Sequence, residues 1–432
     1  MLHVLFLNTQ DNLRADVSVH VSLARALDRD AIRVSTATSV FEGPGESARA
    51  AFGQIGGMTL LPLNLGRPIS QQSGIRRALA MVHNVRAAQS LVSLAAWCRK
   101  ERVDVVHVTE RPRDAIYGFL LARLAGAACL IHAHTSYYAH QPSATLSLVD
   151  WTLRHADAVV GVSRFTADTF WRTGNVARDR VYAVHNAVDV AVQDACVPDD
   201  ARSAMRRQLD IPEDALVVGS VGRLMQGKDQ ASLLEAFAAV RATHPAARLV
   251  IAGLSADASP DGQGDYRDYL IRRTAALGLT DAVVFTGFLP HLQMSRLYAA
   301  FDVFVHPCVE EPFGLVIVEA MARSLPVIAI RGGGVSEIIR DGVDGLLMPP
   351  RQPRALAEAI TKVFDDQSLA ARLAQAGRRR VDAAFTPRAQ AGAMLEVYRD
   401  VTLRTNGKHD CTPTLSASRP LHQTGAHDFN AS

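Results

Sequence analysis

Short apolar runs alternate with helix-like segments along this 432-residue chain, and this alternation restricts the fold more than any other feature. Runs such as Leu2–Leu7, Val103–Val108 and Cys129–His134 are largely apolar, and the segments between them have helix-like spacing of their apolar residues. Runs without regular polar alternation are typical of strands that are buried on both faces of a sheet. Strands that alternate with helices through short links predict a parallel sheet with helices on both sides.

A second series with the same alternation begins at Leu216–Val221 and continues through Arg248–Ala252 and Pro326–Ile330. Between the two series, Gln193–Asp214 lacks strong apolar strand signals and is predicted to be a linker. The sequence therefore predicts an α/β fold with two Rossmann-like, doubly wound domains that face each other across a cleft. The predicted divisions are 1–192 for the N-terminal domain, 193–214 for the linker, 215–386 for the C-terminal domain, 387–403 for a last helix and 404–432 for a disordered tail.

Composition and charge exclude several classes of protein. Hydrophobic residues make up 48% and charged residues 21%, as in ordinary globular proteins, and a net charge of +3 is too small to indicate a nucleic-acid partner. The scattered cysteines form no C-x-x-C pair, so the sequence predicts neither a metal site nor a disulfide framework. The N-terminus lacks the basic segment of a signal peptide, and no apolar run approaches the roughly 18 residues of a membrane-spanning helix. These features predict a cytoplasmic protein.

Two glutamates, Glu311 and Glu319, stand eight residues apart in the sequence E-P-F-G-L-V-I-V-E. Glu311 follows the apolar run Phe301–Pro307, so it is predicted in a strand-to-helix loop, with Glu319 about one turn into the helix. A helix N-terminus offers free N–H groups to a phosphate, and carboxylates accept hydrogen bonds from diols. The stretch predicts a nucleotide-sugar pocket, although a lone pair of this spacing is more often two surface glutamates.

Two further motifs follow predicted strands of the second series. Gly222-Arg223-Leu224 with Lys228 comes directly after the first strand of that series, where two cations can hold a diphosphate between them. Gly332-Gly333-Gly334 follows the strand Pro326–Ile330 and leads to Glu337, and glycines there permit a close backbone approach to a ligand. Both motifs fall at the carboxyl ends of strands, where ligands bind in open α/β sheets.

Together these motifs resemble those of retaining GT-B glycosyltransferases, in family four of that classification. The paired glutamates resemble the family's E-x7-E, Gly222–Lys228 its G-R-L…K segment, and Gly332–Glu337 its G-G-x-x-E loop. The resemblance covers both series and implies the GT-B architecture of two Rossmann-like domains. In that fold the final helix usually crosses back to the first domain, and Arg388–Leu403 is the candidate here.

The resemblance implies a role for each residue on the donor side, and these roles agree with the chemistry of the side chains. The implied contacts are Arg223, Lys228, Phe313 and Gly314 for the diphosphate, Glu311 for the sugar hydroxyls, and Glu319 for the ribose hydroxyls. The cations would neutralise the charge that develops on the leaving diphosphate, and the backbone N–H groups of Phe313 and Gly314 would bind phosphate or sugar. Glu311 is one of two residues predicted to be catalytic.

The other predicted catalytic residue is His134, which ends the strand Cys129–His134. In the family, a histidine at this strand end faces the donor sugar and is needed for transfer. His132 lies two residues earlier, on the same face of the strand if the strand continues, and His140 follows in the next loop. His132 and His140 stay open as alternatives to His134. A further alternative is that His134 is only a core or surface residue.

The loop after the first strand departs from the family pattern. Relatives usually carry paired glycines there, whereas Thr9–Asp16 contains no glycine. Asn12 or Arg14 is the candidate substitute on the acceptor side. The same absence opposes a nicotinamide-dependent oxidoreductase, which needs glycines after its first strand.

The resemblance implies a retaining glycosyltransferase that moves a sugar from a UDP- or GDP-linked donor to a glycan, lipid or small-molecule acceptor, with no cofactor and no metal ion. Retention in this fold is usually explained by attack on the same face of the sugar, with the leaving phosphate taking the acceptor's proton. The missing glycines leave a second hypothesis, a non-catalytic nucleotide-sugar-binding or partner subunit, which the complete donor side opposes. A basic helix face at Arg76, Arg77 and Arg86 is compatible with a peripheral contact at the inner face of the membrane, or with a solvated surface.

Overall fold

The apolar runs of the first series form one parallel sheet. The computed structural model describes residues 1–41, 46–65, 75–137, 144–195 and 197–407. The strands of this sheet are β1 (Leu2–Asn8), β2 (Ile32–Ser39), β3 (Thr59–Leu63), β4 (Val105–Thr109), β5 (Ala128–Ala133), β6 (Ala158–Gly161) and β7 (Val181–Ala183). Their order is β3-β2-β1-β4-β5-β6-β7, and the neighbouring strands are parallel.

Helices cover both faces of the first sheet, as the unbroken apolar runs predict. Along β1, Leu5 and Leu7 pack into one core cluster, whereas Val4 and Phe6 pack into another. Ser163 begins one of these helices, because its hydroxyl accepts a hydrogen bond from the Thr166 amide at 2.9 Å. The helices of this half are α1 (Ala15–Ala26), α2 (Ala48–Gly53), α3 (Ile75–Lys100), α4 (Pro112–Ala125), α5 (Ala144–His155), α6 (Arg164–Arg172) and α7 (Val190–Ala195).

The second series forms another parallel sheet. Its strands are β8 (Val217–Val221), β9 (Arg248–Ala252), β10 (Val283–Gly287), β11 (Val303–His306), β12 (Val327–Ile330) and β13 (Leu346–Met348). The strand order is β10-β9-β8-β11-β12-β13, so the order reverses between β8 and β11. Loops that leave the carboxyl ends of two such strands diverge and open a crevice between them.

Both faces of the second sheet are also buried, since Val217 and Val218 of β8 belong to different core clusters. The helices of this half are α8 (Ala201–Gln208), α9 (Gln230–Thr243), α10 (Tyr266–Ala276), α11 (His291–Ala299), α12 (Leu315–Ala322), α13 (Val335–Ile338), α14 (Pro353–Asp365) and α15 (Gln367–Ala384), and a last helix follows them, α16 (Pro387–Gly407). The two parallel-sheet α/β domains confirm the predicted fold class.

The segment 193–214, which the sequence predicts to be a linker, instead contributes to the C-terminal domain. It contains α8, and Met205 and Ile211 pack into the core of that domain. Arg206 is fully buried, donates to the carbonyl oxygen of Ala215 at 2.9 Å and pairs with Asp302 at 2.8 Å. The prediction missed this packing because a buried arginine, in place of a run of apolar residues, holds the segment.

The last helix, α16, packs on the N-terminal domain, in the place that the family resemblance gives to its final helix. Met394, Val397 and Tyr398 lie in the same core cluster as Phe6 of β1. The Tyr398 hydroxyl is hydrogen bonded to Nδ1 of His107, in β4, at 2.6 Å. The C-terminal helix therefore belongs to the core of the first domain. Most of the predicted tail, 408–432, lies outside the described residues.

The ion pair between Arg206 and Asp302 should stabilise the C-terminal domain strongly. In Asp302→Ala the buried guanidinium loses its counter-charge, and we expect a loss of about 3–5 kcal/mol in the free energy of unfolding. Asp281→Ala is the matched control, because it removes an exposed carboxylate that pairs with Arg241, and it should leave the unfolding midpoint nearly unchanged. Urea unfolding would measure both variants, and equal effects of the two substitutions would contradict the assignment.

Candidate active site

Glu311 lies in the loop between β11 and α12, as predicted, and two cationic or polar groups hold its carboxylate. Lys228 Nζ pairs with Glu311 Oε2, and His306 Nε2 is hydrogen bonded to the same oxygen at 2.8 Å. Burial alone would raise the pKa of Glu311, but His306 and Lys228 outweigh it and lower the pKa to about 2. Glu311 therefore stays ionised at neutral pH, and its second oxygen retains the capacity to accept hydrogen bonds from hydroxyl groups.

Glu319 lies on α12, one turn past the start of the helix, as predicted. The Tyr298 hydroxyl donates to Glu319 Oε2 at 2.8 Å, and the Tyr298 ring is buried between Phe301 and Phe304. Burial, followed by the charge of Glu319, raises the pKa of Tyr298 well above its ordinary value, so the phenol remains a donor. The tyrosine thereby fixes the orientation of the carboxylate predicted to bind a ribose.

The turn into α12 contains two backbone N–H groups that are unpaired among the described residues. The N–H groups of Phe313 and Gly314 have no acceptor within the described parts of the chain. Gly314 has a φ of 108°, and a Cβ there would lie 2.9 Å from Cδ1 of Ile317, so glycine is required. The uncovered donors and the positive end of the helix form a site that suits a phosphate.

Arg223 and Lys228 follow β8, on the other side of the crevice between β8 and β11. The Arg223 side chain is exposed, and among the residues with described coordinates it has no ion pair or hydrogen bond. Lys228 uses its ammonium group for Glu311, yet an ammonium carries three donors, so further contacts to phosphate oxygens remain open. The structure thus brings both predicted cations to the same edge of the sheet as Glu311.

The glycine run after β12 contacts the glutamate loop itself. A Cβ on Gly333 would lie 2.2 Å from the carbonyl oxygen of Glu311, and a Cβ on Gly334 would lie 2.4 Å from that of Pro312. The Gly334 amide also donates to the Glu311 carbonyl at 2.8 Å. The sequence predicts that these glycines allow a ligand to approach. The observed contacts show that these glycines allow the glutamate loop to pack closely against the backbone after β12, which supports the loop.

Glu337 connects the two domains through its carboxylate. It accepts hydrogen bonds from the backbone N–H groups of Arg164 and Phe165, at the start of α6, both at 2.9 Å. His185 Nε2 contacts the same carboxylate at 2.8 Å. Burial raises the pKa of Glu337, but these hydrogen bonds outweigh it, so the net pKa lies below the ordinary value. We call the contact of Glu337 with α6 and His185 the interdomain contact.

The glutamate loop takes part in the same junction between the domains. The hydroxyls of Ser163 and Thr166 donate to the carbonyl oxygen of Pro312 at 2.5 and 3.0 Å. Because Pro312 directly follows Glu311, the N-terminal domain contacts the loop that carries the Glu311 carboxylate. Closure of the domains and the geometry of the site are therefore coupled.

His134 lies just beyond β5 and is partly exposed, whereas His132 is fully buried. The structure therefore favours His134 as the histidine that a ligand can reach, and His140 lies outside the described residues. Burial, with smaller effects from Asp16 and Arg111, lowers the pKa of His134 to about 4. Its imidazole is neutral at pH 7 and offers either a donor or an acceptor at each nitrogen.

The glycine-free loop after β1 is held by side chains that the sequence did not single out. Asp114, buried at the start of α4, accepts from the Thr9 amide at 2.9 Å and from the Thr109 hydroxyl at 2.6 Å. Asn12 is partly buried and Arg14 is exposed, so Arg14 is the better placed of the two candidates for an acceptor. Asp114 therefore connects the loop after β1 to the start of α4.

Further charged groups surround His134. Arg111 pairs with Asp16 of α1, and Glu110 accepts a hydrogen bond from the Thr135 hydroxyl at 3.0 Å. Burial raises the pKa of Glu110. The signal for these residues was present in T-E-R-P-R-D, the polar run directly after the predicted strand Val103–Val108. Charged residues at the carboxyl end of a parallel strand are candidates for a site even without a motif.

Comparisons with known proteins agree with this geometry. The family model for glycosyltransferase family 4 matches residues 17–192, and the model for glycosyl transferases group 1 matches residues 201–380. The chain is 30% identical over 313 residues to the 2-deoxystreptamine glucosyltransferase of Streptomyces kanamyceticus, which covers 68% of this chain and 76% of that protein. It is 33% identical over 208 residues to an uncharacterised glycosyltransferase of Methanocaldococcus jannaschii, but that match spans 48% of this chain and only 51% of the relative.

The fold is also shared with solved structures. HepE of Anabaena, crystallised with UDP-glucose, superposes with a TM-score of 0.72 at 21% identity, over 93% of this chain and 100% of that chain. Two facing Rossmann-like domains with a glutamate loop between them define a GT-B glycosyltransferase. The chain belongs to glycosyltransferase family 4, of the group 1 glycosyl transferases. Within the described ranges, no helix is long and apolar enough to cross a membrane.

The interdomain contact should hold the domains in the arrangement that shapes the site. In Glu337→Ala the N–H groups of Arg164 and Phe165 lose their acceptor, so we expect a loss of about 1–3 kcal/mol in stability and a larger radius of gyration. Calorimetry and small-angle X-ray scattering would measure the two effects. Glu358→Ala, an exposed position on α14, is the control and should change neither. An unchanged radius for Glu337→Ala would show that the contact does not hold the domains.

Proposed function

We propose that this protein is a retaining glycosyltransferase that moves a sugar from a UDP- or GDP-linked donor to a glycan, lipid or small-molecule acceptor. The observation that carries the proposal is the convergence of Glu311, Glu319 and the uncovered N–H groups of Phe313 and Gly314 at one helix start. The two N–H groups would bind a phosphate, and the carboxylates of Glu311 and Glu319 would bind hydroxyl groups on either side of it. The similarity in fold to HepE, which was solved with UDP-glucose, supports the choice of donor class.

The donor diphosphate would lie between the start of α12 and the two cations after β8. Arg223 is exposed, and its guanidinium has no partner among the residues that the structure describes, while Lys228 retains donors beyond its contact with Glu311. These charges would stabilise the negative charge on the leaving nucleoside diphosphate. In this proposal they replace a metal ion at the diphosphate, and the nucleotide sugar is a co-substrate, so no cofactor takes part.

The transferred sugar would lie between Glu311 and His134. Glu311 stays ionised and binds sugar hydroxyls, while neutral His134 contacts the sugar from the N-terminal domain. Retention would follow from attack on the face that the phosphate leaves, with a phosphate oxygen taking the proton of the acceptor hydroxyl. Glu311 then needs to orient the sugar and not to act as a nucleophile, which agrees with its pairing to Lys228.

The acceptor would bind on the N-terminal side, near His134. Glu110 and the pair of Asp16 with Arg111 are polar groups near His134, and Arg14 is exposed at the start of α1. A cytoplasmic location with an acceptor at the inner face of the membrane stays a prediction. It relied on the basic face at Arg76, Arg77 and Arg86, whose side chains lie outside the described part of the structure.

Release of nucleotide from a panel of UDP- and GDP-sugars tests the proposal directly. We expect the wild-type protein to hydrolyse one donor slowly without acceptor, and Glu311→Ala to lower that rate by about 100-fold or more, because a buried charge-assisted contact to the sugar is lost. The matched control is Glu310→Ala, since Glu310 is the exposed neighbour and should be dispensable.

The outcomes of this assay separate the two hypotheses. Release that survives Glu311→Ala would contradict the assignment of Glu311. Tight donor binding by calorimetry, with no release and no transfer to any acceptor, would favour a non-catalytic nucleotide-sugar-binding or partner subunit. Neither binding nor release with any donor would overturn the donor site.

A further inference from the structure

Three histidines meet in the interior of the N-terminal domain, next to His134. His20 lies on α1, His107 on β4 and His132 on β5, and each has 0% of its surface exposed. One ring nitrogen from each lies within 4.8 Å of the others. The proposed transfer reaction uses none of these side chains, so their meeting needs a separate explanation. We call these three residues the histidine cluster.

Five of the six ring nitrogens of the histidine cluster have no hydrogen-bond partner among the described residues. Both nitrogens of His20, both of His132 and Nε2 of His107 are buried and unpaired within the described coordinates. A neutral imidazole carries one N–H donor and one acceptor, and buried polar groups in native proteins are almost always satisfied. Five unpaired nitrogens at one place therefore indicate that the folded protein binds something there.

The spacing of the rings suits a metal ion. The ring centroids are 4.6 Å apart for His20 and His107, 5.4 Å for His20 and His132, and 5.2 Å for His107 and His132. Three imidazoles that bind one tetrahedral Zn²⁺ have centroids about 5 Å apart, given Zn–N bonds of about 2 Å. The Tyr398 hydroxyl holds His107 Nδ1 at 2.6 Å and leaves Nε2 as the free nitrogen, which is the usual outer-shell support for a histidine ligand.

The protonation state of the cluster agrees with metal binding. Burial, followed by the charges of neighbouring histidines, lowers the pKa of His20, His107 and His132 well below the ordinary value. The rings are therefore neutral, and neutral imidazole is the form that binds a metal. Imidazoles without a carboxylate favour zinc and its neighbours among the transition metals over magnesium or calcium.

We propose that His20, His107 and His132 form a buried site for a divalent transition metal, with Zn²⁺ as the best-fitting ion. His134, whose ring centroid lies 4.4 Å from that of His132, is not counted among the ligands, because the proposed transfer places it against the donor sugar. The ion would join α1, β4 and β5 and, through Tyr398, α16. Its role is structural, since it would stabilise the domain core and fix the strand end that carries His134.

Metal content and cobalt absorption test this site in the full-length protein, made without a histidine tag. Protein purified with Zn²⁺ and then dialysed should retain about one zinc per chain, measured by elemental mass spectrometry. Chelator-treated protein should take up Co²⁺ with the visible absorption of a tetrahedral nitrogen site. Added Zn²⁺ should raise its thermal midpoint, because the ion binds the folded state preferentially.

Substitutions of single histidines identify the residues that bind the ion. His20→Gln and His132→Gln should each lose the bound zinc and the cobalt absorption, whereas His155→Gln, an exposed histidine on α5, should keep both. Zinc that persists in the double variant of His20 and His132 would be bound elsewhere and would overturn the proposal. If a variant fails to fold, the measurements on the wild-type protein still test the proposal. No retained zinc, no cobalt absorption and no shift in the wild-type midpoint would show that the cluster holds only water.

Discussion

The pairing of Glu311 with Lys228 and His306 is the interaction on which the site depends. It joins the loop after β8, which carries Lys228, to the end of β11, which carries His306, and these two strands are neighbours in the sheet. The strand order reverses between them, so their loops diverge around a crevice. Gly333 and Gly334, after the next strand, support the glutamate loop from behind. Three loops at one sheet edge thus hold one carboxylate, ionised and oriented, beside uncovered backbone donors.

The contacts between the two domains connect the Glu311 loop to the N-terminal domain. Ser163 and Thr166 contact the carbonyl oxygen of Pro312, and Glu337 accepts from the start of α6. A shift of one domain would therefore disturb the glutamate loop. Such coupling suits a transferase that must exclude water before it releases a reactive donor sugar.

The sequence predicted the parts that depend on local pattern. Apolar runs predicted most of the strands, although not β3, and E-x7-E placed Glu311 in a loop and Glu319 on a helix, as found. It did not predict features that depend on distant partners. Burial of Arg206 brought the supposed linker into the core of the C-terminal domain, and Asp114 fixes the loop after β1. The histidine cluster was also hidden, because its members are far apart in the chain and meet only when β4 and β5 pair and α1 packs against them.

A crystal structure with UDP or GDP, whichever binds, would test the central claim most directly. We expect the terminal phosphate to contact the N–H groups of Phe313 and Gly314, with Lys228 beside it and the ribose hydroxyls on Glu319. The carboxylate of Glu311 should still contact His306 and should face the space that the sugar would fill. A nucleotide bound away from the start of α12, or with its diphosphate turned from Lys228 and Arg223, would contradict the account.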